Sequence, residues 1–157
     1  EFMCNVDYAK FYVGELMPEV SRLWTGAGPE TPRGVMGVSF GAINSACFGM
    51  MLPGVFQTVV MLSPGSDKHL EVIDRQYRER PVSPSRFFIT NGGPEDNQEA
   101  AEQFVQTLRD KGYDVQHVAT GGAHEWDDWR PLLDDSLQVF SAQLGEGAVP
   151  DDGEGDG

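Results

Sequence analysis

The feature that most constrains the fold is a set of short apolar runs, each of which leads into a small or polar loop. Such runs are typical of strands that are buried on both faces of a sheet. They cover residues 33–39, 56–62, 86–90 and 114–119. Segments with the apolar spacing of helices lie among them, over residues 7–24, 42–51, 97–111 and 129–144. This alternation predicts an α/β domain with a parallel sheet that helices cover on both faces.

Two of the helical segments carry recognisable end or break signals. Asp7 is the expected N-cap of the first helix, and Pro18 within it predicts a kink or a break into two helices. Gly112 is the expected C-cap of the helix at 97–111. Residues 3–144 are therefore expected to form the domain. The Gly-rich acidic tail at 145–157 has almost no apolar content and is predicted to be disordered.

The charge balance limits the possible partners. Asp and Glu number 25 against 11 Lys and Arg, so the formal net charge is −14. Such a surface repels nucleic acid and anionic membranes. The sequence also has no G-x-G-x-x-G after a strand and no G-x-x-x-x-G-K-[ST], which argues against a nucleotide- or flavin-binding domain. We expect neither a cofactor nor a metal.

The two cysteines, Cys4 and Cys47, are too few to suggest a disulfide framework or a metal site, and we expect both to be free thiols. No apolar run approaches the ~20 residues that span a bilayer, and no signal peptide is evident. The sequence thus predicts a soluble protein and favours the cytoplasm.

The segment Gly37-Val38-Ser39-Phe40-Gly41 matches the G-x-S-x-G pattern of a nucleophile elbow. In an elbow, the serine occupies a strained turn between a strand and a helix, which exposes its hydroxyl. The apolar run before Ser39 and the Ala-rich helical segment after it provide that context. The competing interpretation is an ordinary tight turn with a hydrogen-bonded serine.

A serine needs a base to take its proton, and the chain has three histidines. His124 follows the last predicted strand on a Gly-rich loop, at the sheet edge where functional loops gather. His69 lies in a polar stretch, and His117 lies within a strand pattern, where a packed or edge histidine is the usual role. We therefore predict His124 as the general base.

A carboxylate must orient the imidazole and stabilise its charged form. Glu95 and Asp96 both follow the third predicted strand and would lie at the same edge. The chain order Ser39, then Asp96 or Glu95, then His124 is the order of α/β-hydrolases.

Three segments together resemble one esterase family, which includes enterochelin-type esterases, feruloyl esterases and mycolyltransferase-like proteins. They are Glu15-Leu16-Met17-Pro18, Gly37 to Ala42, and Gly121 to Arg130. The resemblance covers roughly residues 7–140, with Ala123 as a small departure. It implies a three-layer α/β-hydrolase-type fold and favours Asp96 over Glu95 as the acid. It also suggests that Trp126 and Trp129 pack against the histidine loop.

The resemblance further implies that only the C-terminal portion of the family's fold is present, without its N-terminal strands. The Phe40 backbone amide is the expected first donor of an oxyanion hole, and a second donor has no candidate in the chain. The strand at residues 33–38 would present an unpaired edge. We expect another polypeptide to pair with it, as a homodimer or as a complementary N-terminal chain.

The predicted function is that of a serine carboxylesterase, which hydrolyses a small or carbohydrate-linked carboxylic ester through an acyl-enzyme on Ser39. The alternative is a catalytically inactive hydrolase half that acts as a binding module or needs an N-terminal partner.

Overall fold

The computed structural model describes residues 3–24, 26, 28 and 31–145. The predicted acidic tail lies outside these residues, apart from Gly145. Within the described residues, no helix is long and apolar enough to cross a membrane.

The sheet has four parallel strands whose spatial order follows the chain. The strands are β1 (Gly34–Val38), β2 (Thr58–Leu62), β3 (Arg86–Asn91) and β4 (Val115–Ala119). The central strand β2 is buried throughout, and so is β3 beyond its first residue, whereas β1 and β4 are partly exposed at the two edges. All four strands run in one direction, so their carboxyl ends meet at one edge of the sheet. The predicted parallel α/β sheet is confirmed.

Helices cover both faces of the sheet. Their bounds are α1 (Val6–Phe11), α2 (Met17–Leu23), α3 (Phe40–Met51), α4 (Asp67–Glu79), α5 (Gln98–Asp110), α6 (Trp126–Trp129) and α7 (Leu133–Gly145). Helices α3, α4 and α5 pack on the face that presents the odd-numbered side chains of β2 and β3, such as Met61 and Ile89. Side chains of α6 and α7, including Trp129, pack on the face of the even-numbered ones, such as Val60 and Phe88. Each fully buried large apolar side chain contributes about 1.5–3 kcal/mol.

Helix α4 is absent from the sequence prediction, which treats the stretch around His69 as merely polar. The buried side chains of α4 are Leu70, Ile73 and Tyr77, at spacings of three and four. That spacing is the helical signal, and the many charged residues between its members obscure it.

The N-terminal helical segment differs from its prediction in two ways. Asn5, not Asp7, is the N-cap, because the Asn5 side chain accepts hydrogen bonds from the amides of Asp7 and Tyr8 at 2.9 and 3.0 Å. Of the kink or break predicted at Pro18, the break does not occur, because the helical backbone continues through this residue. A π-helical turn (Tyr12–Leu16) joins α1 to α2, with the Met17 amide donating to the Tyr12 carbonyl, and Pro18 lies in the first turn of α2, where no amide is needed.

The prediction of two free thiols is wrong, because Cys4 and Cys47 form a disulfide across a sequence separation of 43 residues. The ring of Tyr8 in α1 packs on Phe48 of α3, with the ring centroids 5.5 Å apart, which brings the start of α1 beside α3. The two Cα atoms are consequently 4.9 Å apart, well within bridging range. Only the tertiary packing of α1 on α3 reveals this proximity.

Candidate active site

Ser39 occupies a strained turn between the end of β1 and the start of α3. Its φ is +57° and its ψ is −119°, a backbone conformation that non-glycine residues rarely adopt. The Ser39 amide donates to the Leu62 carbonyl at 2.9 Å, which fixes the turn to β2. A Cβ on Gly37 would lie 2.1 Å from the Gly41 backbone, so glycine is required there for steric reasons. This is the geometry of a nucleophile elbow.

A continuous chain of hydrogen bonds joins Ser39 to two side chains distant in sequence. His124 Nε2 lies 2.8 Å from Ser39 Oγ, and His124 Nδ1 lies 2.5 Å from Asp96 Oδ1. A carboxylate can only accept, so in the neutral imidazole Nδ1 carries the proton and Nε2 can accept the hydrogen of the serine hydroxyl. In this tautomer the imidazole is ready to take the Ser39 proton.

The structure distinguishes the two candidate acids. Asp96 is fully buried, and its second carboxylate oxygen accepts a hydrogen bond from the Gly92 amide at 2.6 Å. Glu95 lies on the same short 3₁₀ turn (Pro94–Asp96) but is exposed, and the imidazole forms its hydrogen bond with Asp96 instead. A Cβ on Gly92 would collide with the Gly122 carbonyl at 2.2 Å, so this glycine allows the acid loop to approach the histidine loop.

Trp129 packs against the histidine loop. Its ring meets the His124 ring edge-on at 5.0 Å, and its indole Nε1 donates to Ser63 Oγ at 2.8 Å. Trp129 is buried, whereas Trp126 is 60% exposed and contacts Trp129 at 5.4 Å. Trp129 therefore links the histidine loop to the end of β2, and Trp126 leaves most of its ring beside the site accessible.

The other two histidines lie outside the hydrogen-bond chain of Ser39, His124 and Asp96. His117 is on β4, where its Nε2 contacts Asn91 Oδ1 at 2.6 Å, and burial together with the nearby Arg109 lowers the pKa of His117. His69 is in the first turn of α4, and its ring meets Phe40 edge-on at 4.5 Å. This approach of His69 to the elbow was not predicted, because α4, which positions His69, was not predicted.

The Phe40 amide is placed to bind an oxygen. Phe40 is the first residue of α3, so its N–H has no carbonyl four residues earlier within the helix. It follows Ser39 directly and lies at the positive end of the helix dipole. An oxyanion formed on a carbonyl attacked by Ser39 would be stabilised there. Among the described residues, no cluster of three or more His, Cys, Asp or Glu side chains could hold a metal ion.

No family model matches the chain. It is 28% identical over 144 residues to the uncharacterized protein YjcH of Bacillus subtilis (strain 168), covering 83% of this chain and 58% of YjcH.

Several solved structures have a similar fold, including an enterobactin esterase and a ferulic acid esterase. The enterobactin esterase FES from Shigella flexneri, solved with 2,3-di-hydroxy-N-benzoyl-glycine, has a TM-score of 0.80 at 21% identity, over 92% of this chain and 40% of that one. A ferulic acid esterase has a TM-score of 0.68 at 18% identity, over 86% of this chain and 60% of that one. The chain therefore has the α/β-hydrolase fold and spans about 40–60% of the length of these proteins.

Proposed function

We propose that this chain is a serine carboxylesterase with Ser39 as nucleophile, His124 as general base and Asp96 as the orienting acid. The observation that carries the proposal is the hydrogen-bond chain from Asp96 through His124 to Ser39, with Ser39 on a strained elbow. The esterases among the proteins of similar fold support the reaction class.

The reaction proceeds in two halves. His124 Nε2 takes the Ser39 proton as Oγ bonds to the ester carbonyl carbon, and the carbonyl oxygen becomes an oxyanion beside the Phe40 amide. The C–O bond to the alcohol then breaks, and His124 returns its proton to the departing alcohol. In the second half, His124 takes a proton from water as the water attacks the acyl-enzyme, and the carboxylic acid leaves as Ser39 regains its proton.

Asp96 holds the reactive tautomer throughout. It accepts from Nδ1 and stabilises the imidazolium that forms in each half. Its own orientation is set by the Gly92 amide and by complete burial. The substrates that we propose are small or carbohydrate-linked carboxylic esters.

The alternative function is a catalytically inactive binding module, or a half-enzyme that needs an N-terminal partner to complete the site. Within the described residues, β1 is a partly exposed edge strand, and this edge together with the 40–60% coverage of the similar proteins favours this candidate over other non-enzymatic functions. In that situation the hydrogen-bond chain would exist without a complete oxyanion hole, and turnover by the chain alone would be lost.

The test compares hydrolysis of a short-chain p-nitrophenyl ester by the wild-type chain and by Ser39→Ala, at the same oligomeric state. Turnover that disappears in Ser39→Ala supports the esterase. Turnover that persists in the variant rules out Ser39 as nucleophile. A folded wild type without turnover favours the inactive or incomplete half.

A further inference from the structure

The loop between β2 and α4, residues Ser63–Ser66, is held in an unusual conformation. Ser63 and Ser66 both have positive φ values, +44° and +36°, although neither is a glycine. The Ser63 amide donates to the Thr90 carbonyl at 3.0 Å, so the loop is fastened to β3. Strained residues of this kind persist where the surroundings enforce them, and they concentrate at functional sites.

This β2–α4 loop contacts the segments that carry Ser39 and His124. The Gly65 amide donates to the Ser39 carbonyl at 3.1 Å. Ser63 Oγ accepts from Trp129, which in turn packs against His124. The loop thus lies directly against the elbow and is coupled to the histidine loop.

Gly65 faces the reacting groups closely enough that any side chain would intrude. A Cβ at this position would lie 3.2 Å from Ser39 Oγ and 3.3 Å from the Phe40 amide nitrogen, closer than such atoms ordinarily approach. An oxygen bound by the Phe40 N–H must itself lie about 2.7–3.1 Å from that nitrogen. A methyl group on residue 65 would compete with the oxygen for this space.

The backbone of Gly65 does not explain why glycine is present. Its φ lies outside the left-handed range, so this torsion angle does not itself require glycine. The residue is also buried, so exposure to solvent does not favour glycine either. The close approach to Ser39 and Phe40 is the remaining reason.

We propose that Gly65 is a positioning residue that leaves room beside the Phe40 amide for the carbonyl oxygen of the ester. This inference rests on the proposed esterase function. It extends the site to the β2–α4 loop, which would then form one side of the oxyanion hole.

The test is Gly65→Ala, with Gly14→Ala as the control, because a Cβ at Gly14 would meet nothing within 4 Å and Gly14 lies in the π turn. For p-nitrophenyl acetate we expect kcat of Gly65→Ala to fall about 10²–10³-fold, the usual effect of losing one oxyanion donor, with KM nearly unchanged. The affinity for a trifluoromethyl ketone, whose adduct on Ser39 places an oxygen in the same space, should fall by the same factor. Gly14→Ala should match the wild type in both assays.

A second measurement needs no variant. In ¹⁵N-labelled wild-type protein, a boronic acid that forms a tetrahedral adduct on Ser39 should shift the Phe40 amide proton downfield and shift the Gly65 α-protons. Unchanged Gly65 signals in the adduct would overturn the inference, even if Gly65→Ala fails to fold.

Two further results would overturn it. One is a folded Gly65→Ala that retains wild-type kcat. The other is a variant in which kcat and ketone affinity fall by unequal factors. A wild-type chain without Ser39-dependent turnover would refute the proposed function and this inference with it. A wild-type chain and a Gly65→Ala variant that are equally active would refute only the role of Gly65.

Discussion

Removal of the disulfide should destabilise the fold by an amount set by the loop that it closes. We predict this for Cys4→Ser, because Cys4 is half-buried whereas Cys47 is fully buried in the core, where a substitution would also disturb packing. The bridge joins residues 43 apart in sequence. For a loop of that length, the lost conformational entropy of the unfolded chain corresponds to roughly 4 kcal/mol at 25 °C.

Urea denaturation followed by circular dichroism measures this loss. With a urea m-value of about 2 kcal/mol/M, 4 kcal/mol corresponds to a midpoint lower by about 2 M. A phosphine reductant should lower the wild-type midpoint to that of Cys4→Ser and should leave the variant unchanged. Equal midpoints for wild type and Cys4→Ser without reductant would refute the reasoning, as would two titratable thiols in the denatured, unreduced wild type.

Three further predictions concern the acid, the half-buried His117 and the sheet edge. Asp96→Asn should lower kcat by roughly 10⁴-fold through loss of the correct tautomer, while Glu95→Gln leaves it unchanged in the same ester assay. Because burial and Arg109 lower the pKa of His117 in the folded state, this imidazole takes up a proton more readily in the unfolded chain than in the folded one. The free energy of unfolding should therefore decrease as the pH falls below about 6.5, and less so in His117→Gln, as measured by denaturation at several pH values. We expect β1 to be paired by a second copy or a complementary N-terminal chain, which light scattering after size exclusion detects.

Each of these predictions has a contrary outcome. A loss of kcat in Glu95→Gln equal to that in Asp96→Asn would mean that the acid is misassigned. An unfolding free energy with the same pH dependence in wild type and His117→Gln would exclude His117 as its source. A stable 17 kDa species in the light-scattering measurement would contradict pairing at β1.

The parts of the site that could be predicted from sequence are those with a local pattern or a topological rule. The elbow around Ser39 is a local pattern, because the small residues and the following helix are adjacent in sequence. The placement of His124 and Asp96 follows from the rule that loops after parallel strands meet at one edge. The choice between Asp96 and Glu95 depended on a resemblance, because only the loop conformation shows which carboxylate points inward.

The features that escaped prediction depend on contacts between distant segments or on competing signals. The Cys4–Cys47 bridge exists because α1 packs on α3, and no spacing in the sequence predicts that contact. The role of Asn5 as N-cap depends on where the helix starts, which shifts easily by one or two residues. The position of Gly65 against Ser39 requires the end of β2 to lie beside the end of β1.

The most direct test of the central claim is covalent labelling of the nucleophile. The wild-type chain is mixed with a fluorophosphonate, and the modified peptide is identified by mass spectrometry, beside His124→Ala. An activated serine predicts a single adduct on Ser39 in the wild type and labelling at least about 10²-fold slower in His124→Ala, the lower limit for loss of a general base. Labelling at another residue, or an equal labelling rate in the two proteins, would contradict the assignment of Ser39 and His124.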